Sequence, residues 1–218
     1  MGTVNQFYEY ITSYTNTFWP VMVLTYLLAI FVFYFSYKKT EFSDKIISGI
    51  LAFLWLWSGL IFWIGTFGPY SLSIFNLTIP GIWVVIGIVF IIQGCLLILF
   101  GIINPSISVK IEKNSYFYLG LLFVLYALFI YPIIGFLTGH PYPNYPIFGI
   151  FPCPVTIFSF GIFLWTDKKV NLILIILPLI YALCGILPVL LYEVLADLGL
   201  IIFGILGFSL ITYRDKNE

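Results

Sequence analysis

Apolar residues run along most of this chain in stretches of about twenty, separated by short polar segments. A bilayer core about 30 Å thick is crossed by about 20 apolar residues in helical form. Backbone groups in lipid must bond within their own segment, so each run predicts a helix. Seven are expected, over 18–37, 46–65, 79–103, 116–137, 148–166, 171–191 and 195–213, all within one transmembrane domain covering residues 1–218. Residues 3–17 have a different pattern. Phe7, Ile11, Tyr14 and Phe18 fall at helical spacing, with Asn5, Glu9, Ser13 and Asn16 between them. That predicts a short amphipathic helix lying in the membrane interface. Trp19 then suits an interfacial aromatic belt and Pro20 the first turn of the first span. The expected fold class is all-α: a polytopic bundle of seven transmembrane helices with a short N-terminal interfacial helix.

Composition agrees with this pattern. Only 8% of the residues are charged and 62% are hydrophobic, whereas a soluble domain carries about 25% charged residues. So few charges cannot cover a water-facing surface, and the lipid bilayer is the expected partner. Net charge is zero with no basic block, which gives no basis for a nucleic-acid partner. No Lys or Arg precedes the first apolar run and no small-residue cleavage site follows it, so the first span is expected to stay in the mature protein.

The charges also predict orientation. Lys38, Lys39 and Lys45 lie between spans one and two, Lys110 and Lys113 between three and four, and Lys168 and Lys169 between five and six. Arg214 and Lys216 follow span seven. Seven spans place all of these on one side, and the positive-inside rule makes that side cytoplasmic. Six or eight spans would break the sorting. The expectation is a multi-pass protein of the cell membrane, N-terminus outside and C-terminus cytoplasmic. Seven spans do not divide into two equal inverted halves, so the simplest transporter signature is missing. No ionisable residue sits at the centre of a span, which argues against a proton-driven pump or a voltage sensor. Gln93 is expected to bond to a neighbouring helix, and Gly199, Gly204 and Gly207 to allow close packing of the last span.

The least generic stretch is GHPYPNYPIFGIFPCP, residues 139–154. Pro141, Pro143 and Pro146 stiffen the backbone and push their preceding residues towards extended conformations. Gly139 and Gly149 allow turns. Pro152 and Pro154 suit the opening turn of span five. Such a segment caps the outer end of the bundle. Its unpaired carbonyls, with the Tyr142 and Tyr145 hydroxyls, can face an ion or polar ligand, or the segment can simply close the bundle. His140, the single histidine, suits a metal ligand, a general base or a structural hydrogen bond. Cys153 lies in the same outer half. With His140 and a carboxylate from Glu193 or Asp197 it makes a soft-metal set, although the spacing matches no established ligand pattern. A Cys–His nucleophile pair is the alternative. The other cysteines, Cys95 and Cys184, form no C-x-x-C pair and read as packed thiols. Glu193 and Asp197, four apart, share a face if a helix begins before Glu193; both also suit capping of a helix start.

Four segments carry a family resemblance: YTNTFWP at 14–20, LAFLWLWSGLIF at 51–62, the long stretch 125–164 that contains the cap, and EVLADLGLIIFGILG at 193–207. The most specific part is matched by His140, Tyr142, Pro143, Pro146, Phe148, Gly149, Pro152, Cys153, Pro154, Thr156, Ile157 and Phe158, followed by Asp197, Leu198 and Gly199 in the last span. Over nearly its whole length the chain resembles the prokaryotic integral membrane family DUF6064. The resemblance implies a polytopic membrane architecture and brings no activity with it.

The resulting expectation is an outward-facing site for a cation or small polar ligand, bound or transported, formed by His140, Tyr142, Tyr145, Cys153, Glu193 and Asp197. A membrane-embedded enzyme using His140 and Cys153, or a non-catalytic structural subunit, are the other readings. No motif specifies a cofactor, a metal or an oligomeric state.

Overall fold

The computed structural model describes residues 4–74 and 77–217. The apolar runs form seven helices: α1 (Val4–Tyr37), α2 (Ser43–Phe67), α3 (Ile82–Ile103), α4 (Ser115–Leu137), α5 (Pro152–Phe163), α6 (Ile173–Tyr192) and α7 (Asp197–Asn217). All but α5 are long and apolar enough to cross a membrane. A short antiparallel hairpin, β1 (Leu72–Ile74) and β2 (Leu77–Ile79), joins α2 to α3 and pairs Leu72 with Ile79.

The architecture is built around α5. It is 12 residues long, and every one of its side chains is buried. A helix of that length reaches only about 18 Å. It is apolar on all faces because it meets protein on all faces, packing against α2, α4, α6 and α7. Its polar side chains bond internally. Ser159 donates to the Val155 carbonyl (2.8 Å) and accepts from the Trp55 indole (2.9 Å). At its C-terminal end Arg214, 3% exposed, reaches in from the last turn of α7. Its guanidinium donates to the carbonyls of Phe163 (3.2 Å), Leu164 (3.3 Å) and Thr166 (3.0 Å). Those carbonyls have no intrahelical partners, and a cation there also meets the negative end of the helix dipole.

The segments carrying the basic residues gather at this end. Lys39 donates to Ser108 and to the Val109 carbonyl, both at 2.9 Å, and pairs with Asp44. Val109 bridges to Thr166, and Asp215 accepts from the Val170 amide.

The expected amphipathic segment forms the first part of α1, which kinks at Phe18, two residues before Pro20. Its apolar face is laid on the other end of the bundle: Phe7, Ile11 and Tyr14 are buried, while Asn5, Glu9, Ser13 and Asn16 are exposed. Phe7 stacks on Tyr192 at 4.3 Å between centroids. The Tyr14 hydroxyl donates to the Ile150 carbonyl (2.9 Å) and accepts from the Trp57 indole (2.9 Å). The first part of α1, the 138–151 segment and the α6–α7 turn therefore sit together at the end away from the lysines.

Two helices contain π-helical stretches that matter to the site. One is the second half of α2, Ser58–Phe67, and the other is Tyr126–Ile130 within α4. In an α-helix residues five apart diverge by about 140°, whereas an i→i+5 turn brings them onto one face. Phe62 and Phe67 meet in this way at 4.7 Å between centroids.

Candidate functional site

At the end away from the lysines a cavity of about 50 Å³ opens beneath the N-terminal part of α1. Phe7 and Ile11 cover it, with Phe62, Trp63, Phe67, Trp83, Tyr192 and Phe151 as its aromatic wall, and Cys153, Tyr181 and Asp197 on the same lining. Phe151 is the residue before the first turn of α5, and Pro152 and Pro154 occupy that turn. The two prolines remove amide protons that have no helical partner in any case, and they leave Cys153 between them at the cavity.

Cys153, Tyr181, Asp197 and Tyr131 form one buried hydrogen-bonded set. The Cys153 thiol donates to Asp197 Oδ2 (3.6 Å) and shares a hydrogen bond with the Tyr181 hydroxyl (3.2 Å). With the single thiol proton directed at the carboxylate, Tyr181 donates to sulfur. Tyr131 donates to Asp197 Oδ1. Next to it the Tyr126 hydroxyl donates to the Ala196 carbonyl (3.0 Å). The π-helical stretch of α4 explains how Tyr126 and Tyr131, five apart, both reach the start of α7. Gly199 makes room for Tyr126: a Cβ there would lie 1.9 Å from its hydroxyl oxygen.

The structure separates the sequence candidates. Cys153 and Asp197 come together at the cavity. Glu193 does not join them, because it ends α6 in the left-handed conformation (φ 61°) and is exposed, while α7 begins at Asp197, which is 1% exposed. The two carboxyls therefore do not share a helix face. His140 stacks on Tyr8, 3.9 Å between centroids, and lines a separate small cleft with Tyr131 and Tyr145. It is not one of the residues lining the cavity that holds Cys153. Pro146 and Val194 line both spaces and form the partition between them. Tyr142 and Tyr145 face a lateral apolar groove of about 440 Å³ between α1 and α4. Burial, and secondarily the neighbouring Tyr142 phenol, push the Tyr145 hydroxyl above its ordinary range, so it stays protonated. Among the described residues no three His, Cys, Asp or Glu side chains gather as a metal would need.

Trp63, Trp83, Tyr131 and Tyr181 line or support the site without having been candidates. In apolar runs this rich in aromatics, spacing alone does not mark them.

The model of DUF6064, described as a family of unknown function, matches residues 4–218. No curated protein and no solved structure matches the chain.

Proposed function

This chain belongs to the DUF6064 family, and from that premise we propose that it is a membrane protein that binds a cation or small polar ligand in the cavity beneath the first part of α1. Cys153, Tyr181 and Asp197 supply the polar contacts, and Tyr131 positions the Asp197 carboxylate. The lysine-bearing end is cytoplasmic by the positive-inside rule, so the cavity opens towards the outside.

The observation that carries this reading is the placement of a thiol, a phenol and a carboxylate, all buried, on the lining of one cavity at the end of the bundle. Buried polar side chains that only tie helices together need no space beside them. The volume matches about two water molecules at about 30 Å³ each, so the ligand, or the part of it that enters, is small.

The test is thermal unfolding of the purified protein in lipid nanodiscs against a panel of small solutes: potassium, ammonium, methylammonium, methanol and formamide. A ligand that binds only the folded state raises the midpoint in proportion to its occupancy. The expected result is a saturable rise of several degrees with at least one solute, reduced in Asp197→Asn, Cys153→Ala and Tyr181→Phe. A panel with no effect, or a rise of equal size in all three variants, would overturn the proposal.

A further inference from the structure

The lateral groove between α1 and α4 is a second space, distinct from the cavity beneath α1, and its walls are almost wholly apolar. Met22 and Tyr26 of α1 form one side, Leu128, Ile133 and Phe136 of α4 the other, and the buried Ile147 lies between them. Pro132, also on the lining, has no amide proton to give to the Leu128 carbonyl four residues before it. The Tyr26 hydroxyl donates to that carbonyl at 2.9 Å. The polar atoms between the two helices thus serve each other, and what remains suits an apolar occupant. The groove lies at membrane depth. Both helices are long and apolar enough to cross a membrane, and Phe129, Ile133 and Phe136 on its α4 side are each more than half exposed. From Leu128 to Phe136 α4 rises about 12 Å, against about 15 Å for one leaflet, half of a hydrocarbon core of about 30 Å. Tyr142 and Tyr145 line the groove from the 138–151 segment, and Trp19 is exposed on α1 just before Met22. Aromatic side chains of this kind mark the level of lipid headgroups.

We infer that the groove holds one acyl chain of a zwitterionic phospholipid from the surrounding leaflet, with the headgroup at the level of Tyr142 and Tyr145. Depth and wall chemistry select the chain, and charge selects the head. The segments that meet at this end, 4–18, 138–151 and 193–196, contain no Lys or Arg, and Glu9 and Glu193 are exposed there. An anionic headgroup finds no basic side chain and meets two acidic ones. A zwitterionic headgroup has no net charge and brings an ammonium group that acidic side chains attract. This site is independent of the binding reading above and is tested without it.

The experiment takes the full-length protein in a mild detergent, strips it of lipid and incubates it with equal amounts of dioleoyl phosphatidylcholine and dioleoyl phosphatidylglycerol. Native mass spectrometry then counts the lipids retained. The expected result is a single retained lipid per chain, phosphatidylcholine over phosphatidylglycerol by at least about fivefold. Ile133→Trp fills the groove from an exposed position and is expected to lower retention at least about fivefold. Ile88→Trp, at an exposed position of α3 that does not line the groove, is expected to leave retention unchanged. The comparison of the two lipids uses the unsubstituted protein, so it decides even if a variant folds poorly. Phosphatidylglycerol retained as well as phosphatidylcholine or better, or equal retention in the two Trp variants, would overturn the proposal. So would a chain that retains neither lipid, or a lipid-free dimer that Ile133→Trp dissociates, which would make the groove an interface between copies.

Discussion

The Tyr131 hydroxyl donates to the Asp197 carboxylate from a helix that reaches it only because of an i→i+5 turn. This contact joins α4 to the first residue of α7, and through Asp197 Oδ2 it connects to Cys153 at the start of the enclosed helix α5. Three helices thus meet at one carboxylate. Removing the Tyr131 hydroxyl leaves a buried acceptor without its donor, which costs about 1–3 kcal/mol. Tyr126→Phe removes a hydrogen bond to a backbone carbonyl and is expected to cost about 1 kcal/mol. Unfolding of the two variants in the same detergent should show Tyr131→Phe as the more destabilised. Equal midpoints would mean that the carboxylate finds a substitute donor.

Arg214 should be among the most sensitive positions in the protein outside the cavity. Its guanidinium serves three carbonyls at the end of α5 and the Thr166 hydroxyl, and it pairs with Asp215 at 2.7 Å. Arg214→Ala leaves the Leu164 and Thr166 carbonyls without the guanidinium, while Phe163 keeps the Thr166 hydroxyl as donor, and we expect a loss of at least about 3 kcal/mol. Arg214→Lys keeps the charge but not the planar fork, so it should recover less than half of the loss. Chemical unfolding of both variants checks the order.

Gly199 is held by the close approach of Tyr126. Gly199→Ala places a methyl group where the phenol ring already lies, an overpacking expected to cost about 1–3 kcal/mol. Tyr126→Leu in the same chain should return part of it, because the smaller side chain vacates the space. A double variant no more stable than Gly199→Ala alone would contradict this.

The proposed orientation predicts labelling on opposite sides. In a chain with Cys95, Cys153 and Cys184 replaced by Ala, His140→Cys should react with an impermeant maleimide added to intact cells, and Lys168→Cys only after permeabilisation. Reaction of both from the same side would remove the outward-facing site.

Much of the scaffold is legible in the order of residues. The apolar runs mark the helices because lipid leaves the backbone no other partner. Sorting of the basic residues anticipates one basic end, and the contacts among Lys39, Val109, Thr166 and Arg214 assemble it. Gln93 bonds to the Leu174 carbonyl of α6 at 2.9 Å, as its isolation among apolar residues suggests. The turns at Gly139 and Gly149 are both made with positive φ, 90° and 87°. The 139–154 stretch does lie at the end that holds the cavity.

The membership of the site was not readable in the same way. In water a buried helix face is an apolar stripe against polar neighbours. In lipid the outer face is as apolar as the inner one, so hydropathy does not say that Pro152–Phe163 is enclosed or that Trp63 and Trp83 turn inwards. Spacing fails too. Tyr126 and Tyr131 share a face through a π-helical turn that no α-helical template contains, and the left-handed turn at Glu193 parts it from Asp197. The number of helices, the gathering of charge at one end and the proline-stiffened segment at the other are legible in the order of residues, because solvation acts on each segment separately. Which side chains meet at Asp197, and that His140 lines a different cleft from Cys153, emerge only in the packed bundle, because those contacts depend on how far each helix is wound when its neighbours are in place.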